Sequence, residues 1–239
     1  MRVLLNPCYI LHQRSYRETS LILDLFSRNY GKVVVVARGV KRKKSRSAAL
    51  LQLHQRLNIS WNMRGEMGTL TGVESDGLQF DISGRWLFTA FYIDELLVRL
   101  LHKHEDHPEL FDAYDRALSR LDQQEAEFST VRAFEVQLLQ SLGYGLVLDH
   151  DVDTGRGIDP GQEYYYVLDH GPVITPPAHA DYVRISGRAL VSLHLGDYQD
   201  DSLMCESKLL MQKVLQTYLG HKPLRSRELY QAYVEKLSR

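Results

Sequence analysis

The chain has 239 residues, of which 44% are hydrophobic and 25% charged, and its formal net charge is −1. This ordinary composition allows one large or two modest domains with self-sufficient cores. No apolar run approaches the ~20 residues that span a bilayer, and the N-terminus, interrupted by Asn6 and Pro7, lacks the pattern of a signal peptide. Two cysteines far apart, Cys8 and Cys205, indicate a reducing compartment and argue against a cysteine zinc site.

From Cys8 to about Ser75, short apolar and β-branched runs alternate with turn residues: CYILHQ, TSLILDLFS, GKVVVVARG, LLQLHQRLNISW and MGTLTGVE. They predict five strands, with a turn at Asn29 to Gly31, and a small antiparallel barrel is their natural closure. Five strands over about 70 residues suit an oligonucleotide-binding fold, the OB-fold. Trp61, Tyr16 and Tyr30 are then candidates either for base stacking or for packing.

Between the third and fourth strands lies Arg38 to Arg46, R-G-V-K-R-K-K-S-R, in which six of nine residues are cationic. From Leu25 to Gly65 there are ten Lys and Arg and no acid; residues 1 to 72 carry a net +10 and residues 73 to 239 a net −11. The near-neutral total therefore hides two halves of opposite sign. Such asymmetry points to a polyanionic partner, although a basic run can also be a solvated surface loop.

After Gly84 the apolar period becomes helical. Trp86, Ala90, Ile93, Leu97 and Leu101 line one side of a segment ending near His102, and further helices are expected at 108 to 122, 128 to 142 and 202 to 219. The glycine- and proline-rich stretch from Gly143 to Tyr182, with a short strand candidate at Tyr164 to Leu168, reads as an irregular insertion. The expected fold class is therefore α+β and multidomain. It comprises an N-terminal five-stranded OB-fold barrel at residues 1–80 and an all-α helical domain at 81–239, interrupted by an irregular insertion at about 143–183.

Several motifs carry possible chemistry. H-K-H-E-D-H at His102 to His107 matches an H-x-H-x-D-H metal signature, which would serve a metal-dependent nuclease. It follows an amphipathic helix rather than a strand, so a polar helix terminus explains it more simply. Asp149 to Asp153 reads as a solvated acidic loop, because nothing in the sequence fixes a cation geometry there. No phosphate-binding glycine loop or nucleophile turn occurs. At helical spacing Phe128, Arg132, Val136 and Leu139 share a strip, which could hold an apolar peptide ending in a carboxylate or could be a core face whose arginine reaches solvent. The basic end, H-K-P-L-R-S-R-E-L-Y from His221, suits either a second phosphate-contacting surface or a cationic helix end complementing its own dipole.

Four blocks resemble the RecO family of bacterial recombination mediators over essentially the whole chain: YILHQRSYRETSLILDLF at Tyr9 to Phe26, GKVVVVARGVKRKKS at Gly31 to Ser45, LGYG at Leu142 to Gly145 and KPLRSREL at Lys222 to Leu229. The resemblance implies binding of single- and double-stranded DNA, annealing of complementary strands and partnership with RecR. It also implies contact with the acidic-aromatic C-terminal tail of single-stranded-DNA-binding protein, so that RecA can replace that protein on a gap. By position it assigns DNA contacts to Arg14, Arg17, Arg38, Lys41, Arg42, Lys43, Lys44 and Arg46, and the tail to Arg132 with Phe128, Val136 and Leu139. It further implies a non-enzymatic, cytoplasmic, nucleoid-associated protein with no membrane contact.

Many members carry a four-cysteine zinc site shortly after the LGY motif, where this chain has Asp151 and Thr154 and no later cysteine pair. Neither zinc nor another cofactor is expected, and the insertion should be held by packing alone. Two other readings are a metal-dependent nuclease using His102 to His107 and a general RNA-binding barrel protein.

Overall fold

The structure, a computed structural model, describes residues 1–42, 46–198, 203–220 and 222–237. Its first five strands are β1 (Arg2–Tyr16), β2 (Ser20–Ser27), β3 (Gly31–Ala37), β4 (Gln55–Arg64) and β5 (Met67–Gln79), which close into a barrel in the order β1-β2-β3-β5-β4. Closure depends on the length of β1. Its C-terminal part pairs with β2 and its N-terminal part, from Arg2 to Cys8, pairs with β4, so the strand begins well before the Cys8 expected from sequence.

Inward-facing Ile10, Leu23, Leu25, Val33, Val35, Ile59 and Trp61 fill the barrel. Burial pushes the Cys8 thiol up to about 12, against a smaller opposing effect of its hydrogen bond with Ser27. β3 meets β5 in a short parallel contact at Val35 and Gly68. A Cβ on Gly68 would lie 3.0 Å from Val35 and 3.2 Å from Trp61, so glycine is what lets the barrel shut around the indole. A short helix, α1 (Arg46–Leu50), precedes β4, which therefore starts at Gln55 and not at Leu50.

The remaining elements are α2 (Arg85–Leu100), α3 (Pro108–Asp122), α4 (Glu127–Ser141), β6 (Glu163–Val167), β7 (Gly171–Val173), β8 (Tyr182–Ser186), α5 (Gly187–Leu195), α6 (Met204–Leu219) and α7 (Arg225–Leu237). The chain forms two compact units, Met1–Gln124 with Pro223–Arg239, and Glu125–Lys222. α2, α3 and α7, which lie within the helical part expected at 81–239, group with the barrel in the first of these units.

Side chains on the outside of the barrel explain this grouping. Tyr9 of β1 meets Phe111 and Tyr114 of α3 at ring distances of 5.3 and 4.9 Å, and Phe26 of β2 meets Phe111 at 5.4 Å. Each buried ring contributes about 1.5–3 kcal/mol, and each such pair about 0.5–1.5 kcal/mol more. Beneath them Asp94 of α2 accepts from Tyr114 Oη at 2.5 Å and lies 2.9 Å from His54 Nε2, so this buried carboxylate joins barrel, α2 and α3.

α7 returns to α2. Glu95 accepts from the Arg225 and Ser226 amides at 3.0 and 2.9 Å and from Ser226 Oγ at 2.8 Å, capping α7, while Phe88 packs on Tyr230 and Tyr233. The basic residues Arg225 and Arg227 therefore occupy the first turn of α7, at the positive end of its dipole. The dipole explanation offered by the sequence is wrong for them, because it requires the opposite end.

In the second unit the expected irregular insertion contains an antiparallel sheet in the order β7-β6-β8, with Tyr164, Tyr166, Val173, Val183 and Ile185 buried. Packing alone does not hold it. Asp151, 1% exposed, accepts from the Thr154 amide (2.7 Å) and hydroxyl (2.9 Å), the Asp153 amide (3.0 Å) and, across the fold, the Ile174 amide (3.0 Å). Burial alone would raise this carboxyl, yet these donors outweigh it and hold the group below the ordinary carboxylate range. Asp151 and Thr154, the two positions singled out in the sequence, thus form a hydrogen-bonded knot with each other.

Candidate nucleic-acid interface

The β1–β2 turn at residues 17–19 and the loop after β3 meet at one end of the barrel. Leu21 pairs with Ala37, and the Lys41 amide donates to the Thr19 carbonyl at 3.0 Å. The Lys41 ammonium also donates to Ser15 Oγ at 2.5 Å, and the Arg42 amide closes a turn on the Gly39 carbonyl at 3.2 Å. Arg14, Arg17, Arg38, Lys41 and Arg42 are consequently neighbours at one rim, all exposed. Lys43 and Lys44 lie outside the described residues, as does the side chain of Arg46, whose backbone opens α1.

Beside this rim, alternate residues of β2 and β3 leave the barrel interior. Ile22, Val34 and Val36 form a small separate cluster with Tyr16, and the Arg17 guanidinium stands 5.2 Å from the Tyr16 ring centre. Asp24 on the same face lies 3.3 Å from His12 Nδ1 and 3.7 Å from Arg14, a carboxylate that balances part of the local charge. Of the three aromatic candidates only Tyr16 is beside the cations. Trp61 is fully buried in the barrel core, with Tyr30 edge-on to it at 5.5 Å, so both belong to packing.

Not every cation of the acid-free stretch faces outward. Arg28 pairs with Asp112 of α3 at 2.8 Å, Arg56 pairs with Asp76 and Asp115, and the Lys32 ammonium donates to the Val98 carbonyl at the end of α2. Burial lowers the Lys32 pKa. Sequence counting alone does not separate these three from the rim cations, because their partners come from α2, α3 and β5, distant in the chain.

The His102 to His107 segment lies over the β2–β3 turn. Lys103 bridges to Gly31 and Lys32, and a Cβ on Gly31 would fall 1.7 Å from the Glu105 carbonyl oxygen. Among the described residues no group of three or more His, Cys, Asp or Glu is arranged to hold a metal ion, so the spacing of this motif does not become a donor set. Nor is any helix of the described residues long and apolar enough to cross a membrane.

In the second unit Arg132 is 7% exposed and donates to Glu135 on its own helix at 2.7 Å, with its guanidinium 5.4 Å from the Phe128 ring. Phe128 also meets Tyr198 edge-on at 6.2 Å, and burial pushes the Tyr198 hydroxyl up to about 12. Phe128 and Val136 are half-buried. Leu139 is fully buried and packs the core, which corrects its assignment to a peptide-contacting strip. Glu135 was missed by sequence reasoning, although an acid three residues after Arg132 is a readable signal.

Comparison with known proteins places both units in one lineage. Residues 1–76 match the family model described as "Recombination protein O N terminal", and residues 85–228 match "Recombination protein O C terminal". Among similar proteins named DNA repair protein RecO, that of Nitrosospira multiformis is 40% identical over 229 residues, covering 95% of each chain. That of Nitrosococcus oceani is 41% identical over 229 residues, covering 96% of this chain and 93% of its own, and one from Coxiella burnetii is 40% identical over 230, covering 95% and 98%.

Proposed function

Because this chain belongs to the RecO family of DNA repair proteins, we propose that it is a recombination mediator acting by binding rather than by chemistry. In this reading it holds single- and double-stranded DNA, anneals complementary strands in the cytoplasm at the nucleoid, and with RecR helps RecA onto DNA coated by single-stranded-DNA-binding protein. The observation that carries it is the rim where Arg14, Arg17, Arg38, Lys41 and Arg42 converge beside Tyr16 on a closed five-stranded barrel. Cations there neutralise phosphates of one strand and lower the repulsion met by a second.

The deciding experiment is annealing of complementary strands coated by their binding protein. Acceleration by the wild type, lost in Lys41→Ala/Arg42→Ala, is expected. No acceleration by the wild type removes the annealing role, and tighter binding to RNA than to DNA of equal length favours the RNA-binding alternative.

For the protein partner, Arg132 with Phe128 and Val136 is the proposed receiver of the acidic-aromatic tail. The incoming carboxylate would share or displace the Glu135 contact, so the tail exchanges one anion for another at a buried guanidinium. A labelled tail peptide should bind and its C-terminally amidated form should not; equal binding of both excludes carboxylate capture.

A further inference from the structure

A second pair of cations lies where β1 begins and β4 ends. Arg2 pairs with Asn62, so Arg2, Asn62 and Arg64 share the outer face while Val3, Trp61 and Met63 pack inward. All three outer residues are exposed, and among the described residues no carboxylate is within ion-pair distance of Arg2 or Arg64. The one acid of the adjoining β4–β5 turn, Glu66, is engaged by Lys103 at 2.9 Å.

The backbone beside this pair is strained. Leu5 has φ 44°, a left-handed conformation costing a side-chain-bearing residue about 1–2 kcal/mol, and it is held there by its amide donating to Ser60 Oγ at 2.9 Å. The β1–β4 register shifts between Val3 and Asn6, and the consecutive Leu4 and Leu5 are 62% and 49% exposed. A regular strand would turn one of them inward. Bulges re-aim side chains, and strain of this kind concentrates where a surface is used.

Strand ladders join this surface to the basic rim. Val36 of β3 is level with Thr69 of β5, Thr69 with Asn62 of β4, and Asn62 with Arg2 of β1. Three strand spacings make that row about 14 Å long. Its side chains are apolar, hydroxyl, amide and guanidinium, which suits a polyanion and repels none.

We infer that single-stranded DNA bound at the basic rim continues across β5 and β4 to the β1–β4 bulge, where Arg2 and Arg64 take phosphates and Leu4 and Leu5 support bases. This rests on the DNA-binding reading and extends its footprint around the barrel. Phosphate capture needs only free cations at ladder spacing, and apolar side chains can support or wedge against any base.

The test uses the full chain with oligonucleotides of about 3 and about 30 nucleotides, the shorter one unable to follow the row of about 14 Å at roughly 3.4 Å or more per nucleotide. Arg2→Ala/Arg64→Ala should bind the short strand like the wild type and the long strand more weakly, with the slope of log affinity against log salt reduced in magnitude by about 1.4. Leu4→Ser should weaken the long strand without changing that slope. Lys41→Ala/Arg42→Ala should weaken both lengths. If the Arg2/Arg64 variant matches the wild type on the long strand while the Lys41/Arg42 variant does not, this inference is overturned and the DNA-binding reading stands. If both variants match the wild type, that reading falls, and the extension with it. Retained DNA binding together with lost polyglutamate binding in the Arg2/Arg64 variant assigns the face to an acidic protein and also overturns the inference.

Discussion

Asp151 shows how one side chain can replace a larger device. Four donors converge on its carboxylate, three from Asp153 and Thr154 and one from Ile174 beside β7, so the loop closes on itself and onto the sheet. Asp151→Ala should cost on the order of 1.5–3 kcal/mol, the scale for hydrogen bonds to a charged group, and thermal denaturation measures it. The pH dependence has a definite sign. The folded pKa is depressed, so this contribution is complete above the unfolded value near 3.9 and disappears as pH falls through the folded one. The acid-induced drop in stability should therefore be smaller in Asp151→Asn than in the wild type. Arg132 is a second residue whose burial decides its behaviour. Arg132→Ala leaves Glu135 buried without its cation, a loss of about 3–5 kcal/mol, whereas replacing both by methionine should leave the melting temperature nearly unchanged and abolish tail-peptide binding. Stability and peptide binding measured on both variants separate the two roles.

Among the elements, α7 depends most visibly on a single partner. Its first-turn amides are satisfied by Glu95 of α2, which also offsets the unfavourable placement of Arg225 and Arg227 at the positive helix end. Glu95→Ala should destabilise α7 by about 1–2 kcal/mol, seen as faster amide exchange across Arg225 to Leu237 with little change in the barrel strands. Helix periodicity made α2, α3, α4 and α6 legible to within about two residues. Two of the three strands of the β6–β8 sheet were not, since Gly171 to Val173 is too short to show alternation and Tyr182 to Ser186 follows a proline-rich turn. α5 was also missed; only nine residues long, it is set by the Ser186 cap and burial of Leu190 and Leu193.

Across the molecule, charge that looks uniform in sequence has two destinations. Arg28, Lys32 and Arg56 fasten α2 and α3 to the barrel, with Arg56 also tying β4 to β5 inside it, whereas Arg14, Arg17, Arg38, Lys41 and Arg42 face solvent at the rim. Arg56→Ala should lower the melting temperature without changing the salt dependence of DNA binding, while Lys41→Ala/Arg42→Ala should flatten the salt slope by about 1.4 and leave the melting temperature alone. Salt titrations of DNA affinity beside thermal melts distinguish them. The five strands, most of the helices, the basic loop and the family resemblance follow from sequence by itself, because alternation, helical period and charge density are local properties of the chain. Tertiary structure alone decided that Trp61 is core and not a stacking platform, that Arg132 is committed to Glu135, and that α2, α3 and α7 belong with the barrel. Each of these depends on which distant side chain arrives as a partner, and spacing along one chain does not encode that.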